Sequence, residues 1–322
     1  MDKKKEKIIF LGTPEFSISS MEALLRKGFN IVAVITNPDE AVGRKQILTP
    51  PPVKVCAQKY NIQVFQPEKL TDELLASLPE ADCFVVVAYG KIIPKSFLGV
   101  PKYGIINVHP SLLPRWRGPS PMQYTILHGD EKAGVTIMKI DEQMDHGPIL
   151  AQQEWESPKP KAQSPKLTYK KLHDELAKMG AELLIETLPK WFAGEIEPKA
   201  QDDAKATFSK LLRKDDGRIN WSRPAEEIER LVRALNPWPG TWSHWPHDSK
   251  IFRIRIEEAD WTEKEPPQGS PGFIWNDDSG QILVKTGQGS LVVKETLLEG
   301  KTSLSAKDFI LGHPQFIGSC LV

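Results

Sequence analysis

The chain has 322 residues, enough for two domains with sizeable cores. Its 42 Lys and Arg are offset by 42 Asp and Glu, so nothing pulls it globally toward a polyanion or a membrane surface, and any nucleic acid has to be met by a local patch. No apolar run approaches the roughly 20 residues of a membrane span, the opening MDKKKEKIIF lacks a secretory apolar core, and the three cysteines, Cys56, Cys83 and Cys320, form no metal-ligand or disulfide pattern. The expectation is a cytoplasmic protein.

Ile8 to Leu11 reads as a strand and Ile31 to Ile35 as a second. Between them Thr13 is the expected N-cap and Pro14 the first residue of a helix reaching about Lys27. A β-α-β opening implies parallel strands and a right-handed crossover. Its turn holds one glycine where a dinucleotide fingerprint needs three. Residues 37–52, NPDEAVGRKQILTPPP, form a loop longer than a plain connector. Arg44 and Lys45 near its tip are candidates for a phosphate contact, beside the plainer reading of a solvated loop.

Val53 to Tyr60 reads as a helix, Gln63 to Phe65 as a short strand and Thr71 to Leu78 as another helix. Cys83 to Ala88 is the most apolar run, as expected of a central strand buried on both faces. It runs into Tyr89-Gly90-Lys91-Ile92-Ile93-Pro94, a strand-end turn whose backbone groups can pair with the edge of a heterocycle.

The stretch from Gly104 to Ser120, GIINVHPSLLPRWRGPS, starts as a buried strand and is then stopped by Pro110, Pro114 and Pro119. Asn107 and His109 are two apart, so on a strand they point the same way, at a carboxyl end. In open α/β sheets the ligand crevice lies outside such ends. An amide can donate to an oxygen gaining negative charge, and an imidazole can move a proton near neutral pH. The bland alternative is a capped strand end with a hydrogen-bonded histidine.

Pro119 to His128 reads as a helix and Gly134 to Ile140 as a strand. Asp145 and Gly147 make the turn that follows. Asp145 can pair with the imidazole of His109, although a turn aspartate alone would also fit. His146 reads as an exposed turn residue. Residues 157–165 are loop by composition, Lys166 to Leu188 an amphipathic helix, and 189–207 a linker. From about Phe208 the character changes. Six of the nine tryptophans lie between Trp221 and Trp275. A helix from Ala225 to Leu235 precedes short strands at Ile251–Ile256, Gly272–Trp275, Ile282–Thr286 and Leu291–Thr296, with a last helix at Ser305–Leu311. That pattern predicts a small all-β domain, a barrel.

Together, Asn107-Val-His109, Ser111-Leu-Leu-Pro114, Arg115-Trp-Arg117-Gly118 and Asp145-x-Gly147 resemble the folate-dependent formyltransferase family. Phe10-Leu-Gly-Thr-Pro14, Val85-Val-Val-Ala-Tyr-Gly-Lys-Ile-Ile-Pro94 and Gly134-Val-Thr-Ile-Met138 are similar to it as well. Thr49-Pro-Pro-Pro-Val-Lys54, Ile219-Asn-Trp221 and Ile228-Glu-Arg-Leu-Val-Arg-Ala-Leu-Asn-Pro-Trp-Pro239 resemble the branch that acts on initiator methionyl-tRNA.

The resemblance implies an α/β, Rossmann-like parallel-sheet formyltransferase domain over 1–189, a linker over 190–207 and an OB-like β-barrel that binds tRNA over 208–322. It implies transfer of the formyl group of 10-formyltetrahydrofolate to the methionine α-amine on initiator tRNA, by direct amine attack, with Asn107, His109 and Asp145 catalytic and no metal. The folate would lie against Val87, Tyr89, Gly90 and Ile92, with Ser111, Leu112, Leu113 and Pro114 on the opposite wall. Arg44 and Lys45, with the second domain, would meet the tRNA, and the family suggests a monomer. One departure is charge: Leu211 to Val322 holds 14 Lys and Arg against 16 Asp and Glu, so a basic RNA face there requires clustering.

Three readings compete. The first is the same chemistry on a small amine, such as a nucleotide-sugar or glycinamide ribonucleotide, which predicts formylation without tRNA. The second is hydrolysis of the folate to free formate. The third is a non-catalytic RNA-binding protein, in which the Asn107, His109 and Asp145 set would have no use.

Overall fold

The structure is a computed structural model and describes residues 5–43, 45–156, 166–266 and 268–322. Arg44 and the segment 157–165 lie outside the described residues. The chain divides into two compact units, one built from 1–121, 131–158 and 172–210, the other from 122–130, 159–171 and 211–322.

The elements of the first unit begin with β1 (Lys7–Gly12), α1 (Phe16–Arg26) and β2 (Asn30–Ile35). A small antiparallel hairpin follows, β3 (Glu40–Val42) and β4 (Ile47–Thr49). Then come α2 (Pro52–Lys59), β5 (Gln63–Phe65), α3 (Asp72–Ser77), β6 (Cys83–Val87), α4 (Lys95–Leu98) and β7 (Ile105–His109). β8 (Ala133–Lys139) and β9 (Ile149–Trp155) follow α5 (Pro121–Leu127), which from Met122 on belongs to the second unit, and α6 (Tyr169–Phe192) is the long helix, part of the first unit from Leu172 on.

Seven strands form one sheet in the order β5-β2-β1-β6-β7-β8-β9. The first five are parallel, β8 runs antiparallel to β7, and β9 antiparallel to β8, so the sheet is parallel only in its larger part. β6 is the middle strand, and all five of its residues are buried, as expected of a run with no polar alternation. From β1 the chain moves outward through β2 to β5, then returns to the other side of β1 for β6 and β7. The switch therefore falls between β1 and β6, which directs a ligand to their carboxyl ends. Across that gap Thr13 Oγ1 donates to the Tyr89 carbonyl and Ser17 Oγ to the Val87 carbonyl. Thr13 is thus not the expected helix cap: α1 starts at Phe16, with Glu15 at the cap position.

Two further expectations change. The long loop after β2 contains the β3–β4 hairpin, whose Val42, Ile47 and Leu48 are more than half exposed. Residues 190–207 are not a free linker but run back over the first unit. Ile149 and Lys199 exchange two backbone hydrogen bonds, and Thr207 N donates to the Pro114 carbonyl. Proline and glycine content suggested a linker because composition does not register pairing to strands far away in sequence.

The second unit holds α7 (Ala225–Leu235), β10 (Thr241–His247), β11 (Lys250–Thr262), β12 (Ile274–Asn276), β13 (Ile282–Lys285), β14 (Ser290–Leu298), β15 (Leu304–Ser305) and α8 (Ala306–Gly312). Its antiparallel sheet has the order β10-β11-β14-β13-β12, with β15 added to β14. Register shifts around Glu258 mark a bulge in the 13-residue β11, the usual device for curving such a strand toward a barrel. β10 escaped the sequence reading because Trp-Ser-His-Trp-Pro-His does not alternate apolar with polar, and its Pro246 fits only an edge strand. Trp245, Ile254, Ile256, Phe309 and Phe316 lie in the core, all under 2% exposed.

Candidate active site

The site grows from the carboxyl end of β7. Strand alternation turns Asn107 and His109 to one face, and β8 fixes the register, pairing Asn107 with Met138 and His109 with Thr136. Beyond His109 the chain doubles back. Ser111 N donates to the His109 carbonyl, Ser111 Oγ to the Arg115 carbonyl and Leu113 N to Thr136 Oγ1. The proline-braced loop is therefore ordered by hydrogen bonds to its own turn and to β8.

His109 is 4% exposed. Its Nε2 lies 3.0 Å from the Trp116 carbonyl oxygen. A carbonyl only accepts, so Nε2 carries a hydrogen. That leaves Nδ1 as the ring atom that faces the site, 3.6 Å from Asp145 Oδ1. The same carboxylate oxygen is 3.5 Å from Asn107 Nδ2. The amide and the imidazole thus converge on one oxygen at distances too long for strong bonds, a spacing that tightens readily around a substrate.

Asp145 is anchored through its other oxygen. The Gly118 amide donates to Asp145 Oδ2 at 2.8 Å. Gly118 has φ +112°, and a Cβ there would run into the Ser209 carbonyl, so only glycine brings its N–H to the carboxylate. Gly147 is required for a similar reason: a Cβ would collide with the Lys139 carbonyl. Asp145 itself has φ +48°, a backbone setting that aspartate tolerates better than most residues.

Two side chains missed by the motif reading, Gln201 and Asp203, support this turn together with Arg117 of the Arg115–Gly118 motif. Gln201 Nε2 donates to the carbonyls of Asp145 and Gly147, both at 2.8 Å. Arg117 Nε donates to Gln201 Oε1 at 3.0 Å, and Arg117 Nη2 to Asp203 Oδ1 at 2.7 Å. His146, expected to be a simple exposed turn residue, is held by Asp141 at 2.6 Å and faces Asp203 at 3.5 Å. The hydrogen bond to Asp141 raises the His146 pKa, and Arg117 lowers that of Asp203. No signal in the sequence around Gln201 and Asp203 pointed here, because they lie more than fifty residues from the turn they support.

The expected folate wall divides in two. Gly90 and Ile92 are exposed, Ile92 at 88%, and a Cβ on Gly90 would meet open space. The Val87 and Tyr89 side chains are instead in the core, at 0% and 2% exposure. They can offer a ligand backbone groups only, because β6 is buried on both faces and the turn after it folds the Tyr89 ring inward. Burial pushes the Tyr89 hydroxyl up to about 12. On the other wall Ser111 and Leu113 are buried, while Leu112 and Pro114 are half-buried. Lys45 is exposed in the turn of the β3–β4 hairpin. A concavity of about 530 Å³ in the second unit, lined by Arg218, Asn220, Trp221, Ser270 and Cys320 among others, contains none of these residues.

Residues 6–188 match the formyl transferase family, and residues 211–314 match the formyl transferase C-terminal domain. The chain belongs to the formyl transferase family. Within it, methionyl-tRNA formyltransferase of Chloroflexus aurantiacus is 43% identical over 312 residues, covering 95% of this chain and 96% of that protein. The enzyme of that name from Geotalea daltonii is 40% identical over 319 residues, covering 98% of each. Among solved structures, the N-formyltransferase of Helicobacter canadensis, in complex with folinic acid and dTDP-3-aminofucose, superposes with a TM-score of 0.64 at 18% identity, over 90% of this chain and 99% of that one. HypX of Aquifex aeolicus with tetrahydrofolic acid gives 0.59 at 17%, over 95% and 47%. At such identities the likeness is one of fold. Among the described residues no helix is long and apolar enough to cross a membrane.

Proposed function

We propose that this protein transfers the formyl group of 10-formyltetrahydrofolate to the α-amine of methionine carried on initiator tRNA. The observation that carries the reading is the convergence of Asn107 Nδ2 and His109 Nδ1 on Asp145 Oδ1 at a strand end. Near-full-length relatives of that activity support the choice of acceptor.

The reaction forms one C–N bond and breaks another. The neutral amine attacks the formyl carbon, and the carbonyl electrons move to oxygen. Asn107 Nδ2 donates to that oxyanion, an interaction whose loss typically costs about 2.7–4 kcal/mol of barrier. The attacking nitrogen becomes cationic and gives up a proton. His109 Nδ1 takes it, with the second charge-bearing N–H facing Asp145. The Nε2–H bond to Trp116 keeps the ring from turning while this happens. The same proton goes to the folate nitrogen as it leaves, so the ring ends as it began. No covalent enzyme intermediate is required. Burial pushes the Cys83 thiol far above its ordinary value, which makes it a poor nucleophile.

The folate wall in this reading is the exposed Gly90 and Ile92 with the backbone of Val87 and Tyr89, opposite the 111–114 loop. The aminoacyl end would meet the β3–β4 hairpin, where Lys45 sits beside the exposed Val42, Ile47 and Leu48. In the second unit three of the basic groups gather around Trp242, one of them, Arg255, also facing Glu257 at 3.6 Å. Arg253 stacks over Trp242 at 4.0 Å, Arg218 lies 5.9 Å from the same ring, and Arg255 pairs opposite Trp242 across the strands. That cluster is our candidate for contact with the tRNA body.

The deciding experiment follows formyl transfer from 10-formyltetrahydrofolate to methionyl initiator tRNA in the wild type and in His109→Ala. The expected result is transfer by the wild type and a fall of about 10²–10⁴-fold in the variant. Release of free formate without transfer would replace this reading with a hydrolase. Folate binding with neither activity would indicate another amine acceptor.

A further inference from the structure

Among the described residues, the turn that carries Asp145 is held by side chains and by the Gly118 amide rather than by strand pairing. Its backbone is left-handed at Asp145, and β9 does not begin until Ile149, so no ladder pairing reaches residues 145–147. What spans the turn is the side-chain amide of Gln201, which donates both of its hydrogens, one to the Asp145 carbonyl and one to the Gly147 carbonyl. An amide can do this only in one of its two flipped orientations. Reversed, its oxygen would face two carbonyl oxygens. Arg117 decides the orientation, because its Nε–H needs an acceptor and finds Gln201 Oε1. The Arg117 side chain is 5% exposed and fixed at its far end by Asp203, while its backbone is bound on both sides by Thr207 and Ser209. Each link acts on the next: Arg117 on Gln201, Gln201 on the turn, the turn on the carboxylate.

We propose that Gln201, oriented by Arg117, is a positioning residue for formyl transfer, clamping the 145–147 turn so that Asp145 Oδ1 stays within reach of both Asn107 and His109. The inference rests on the reading of Asp145 as part of the reaction centre. Gln201 bonds only to backbone carbonyls and to Arg117 among the described contacts, so its effect on the reaction passes through Asp145. Reacting groups displaced by an ångström lose rate on the order of 10²-fold, which sets the scale of the expected effect.

The test is a double-mutant cycle on the full chain: wild type, Asp145→Asn, Gln201→Leu and the double variant. It reads kcat, the KM for folate donor and for methionyl-tRNA, and the melting temperature. We expect Gln201→Leu to lower kcat by about 10- to 100-fold with both KM values within about two-fold. In the Asp145→Asn background the same substitution should change kcat by less than about two-fold, because its route is already cut. An equal loss in both backgrounds overturns the proposal, as does a wild-type kcat in Gln201→Leu while Asp145→Asn is slow. Wild-type kcat in Asp145→Asn would overturn the site reading itself, and the single variants tell the two failures apart. If Gln201→Leu does not fold, Gln201→Glu serves. It keeps the size and the acceptor for Arg117 but turns an oxygen toward the two carbonyls. Full kcat in Gln201→Glu would equally refute the clamp.

Discussion

The two units put their conspicuous residues to opposite uses. In the first, the residues that stand out in the sequence, an asparagine, a histidine and an aspartate among prolines, gather at a strand end with their polar atoms facing one point. In the second, the residues that stand out are tryptophans, and half of the six are buried scaffold. Trp221, Trp242 and Trp245 are 5%, 7% and 1% exposed, and their indole N–H groups are satisfied by Ser243, Lys214 and Ser319. Among the described residues, the tryptophans that are substantially exposed are Trp238 and Trp261, at 53% and 37%. Abundant tryptophan reads naturally as a stacking surface for RNA, but a domain of about 110 residues needs large apolar groups to close its core. The lesson is that a polar residue in a rigid, buried setting points to chemistry, whereas an aromatic one has first to be excluded from the core.

The largest effect that would break this comparison lies in Trp245. Its ring centroid sits 5.1 Å from that of Phe316, 5.8 Å from Phe252 and 6.1 Å from Phe309. Trp245→Ala should destabilise the second unit by about 3–5 kcal/mol, visible as a lower and earlier unfolding transition in calorimetry. Should the variant keep its melting temperature and lose only tRNA affinity, Trp245 would be a recognition residue and the distinction between the units would fail.

A smaller effect belongs to Arg253. If charges rather than tryptophans meet the tRNA, Arg253→Ala should raise the KM for methionyl-tRNA several-fold and reduce the slope of log affinity against log salt by about one. kcat at saturation and folate affinity should hold. The stacking lost from Trp242 would cost only about 0.5–1 kcal/mol of stability, readable separately in the unfolding midpoint. An unchanged salt slope would remove this face from the interface.

How much was legible in the sequence follows the same divide. Strands such as Cys83–Val87, and the spacing of Asn107 and His109, are local patterns, and both their existence and their direction can be read from alternation and prolines. Asp145 was within reach because Gly147 and the following strand define its turn. Gln201 and Asp203 were not, because nothing in their own neighbourhood distinguishes a polar residue in a proline-bearing coil from one threaded back across 84 and 86 residues to Arg117. The inward turn of Tyr89 was also hidden. Ala88 and Gly90 both adopt positive φ, and a side chain's direction at such a corner is set by tertiary packing rather than by strand alternation. β10 failed for the converse reason: it is an edge strand whose pairing tolerates a proline that periodicity counts against it.

The smallest predicted effect probes the outer rim of that hidden network. His146 donates to Asp141 and faces Asp203, while burial and the Arg117 charge oppose its protonation. The Asp141 hydrogen bond wins, and the His146 pKa is raised in the folded protein. A raised pKa means the folded state binds this proton more tightly than the unfolded chain. The stabilisation is therefore complete below the unfolded value, about 6.5, and is lost as pH rises through the folded value. His146→Gln keeps a donor near Asp141 but does not titrate. The melting temperature of the wild type should exceed that of the variant most at about pH 5.5, and the gap should close by about pH 9. A gap that widened with rising pH would require His146 to be neutral when folded. Asp141 and Asp203 would then have to be occupied elsewhere, and the polar rim around Arg117 would be arranged differently from the one described.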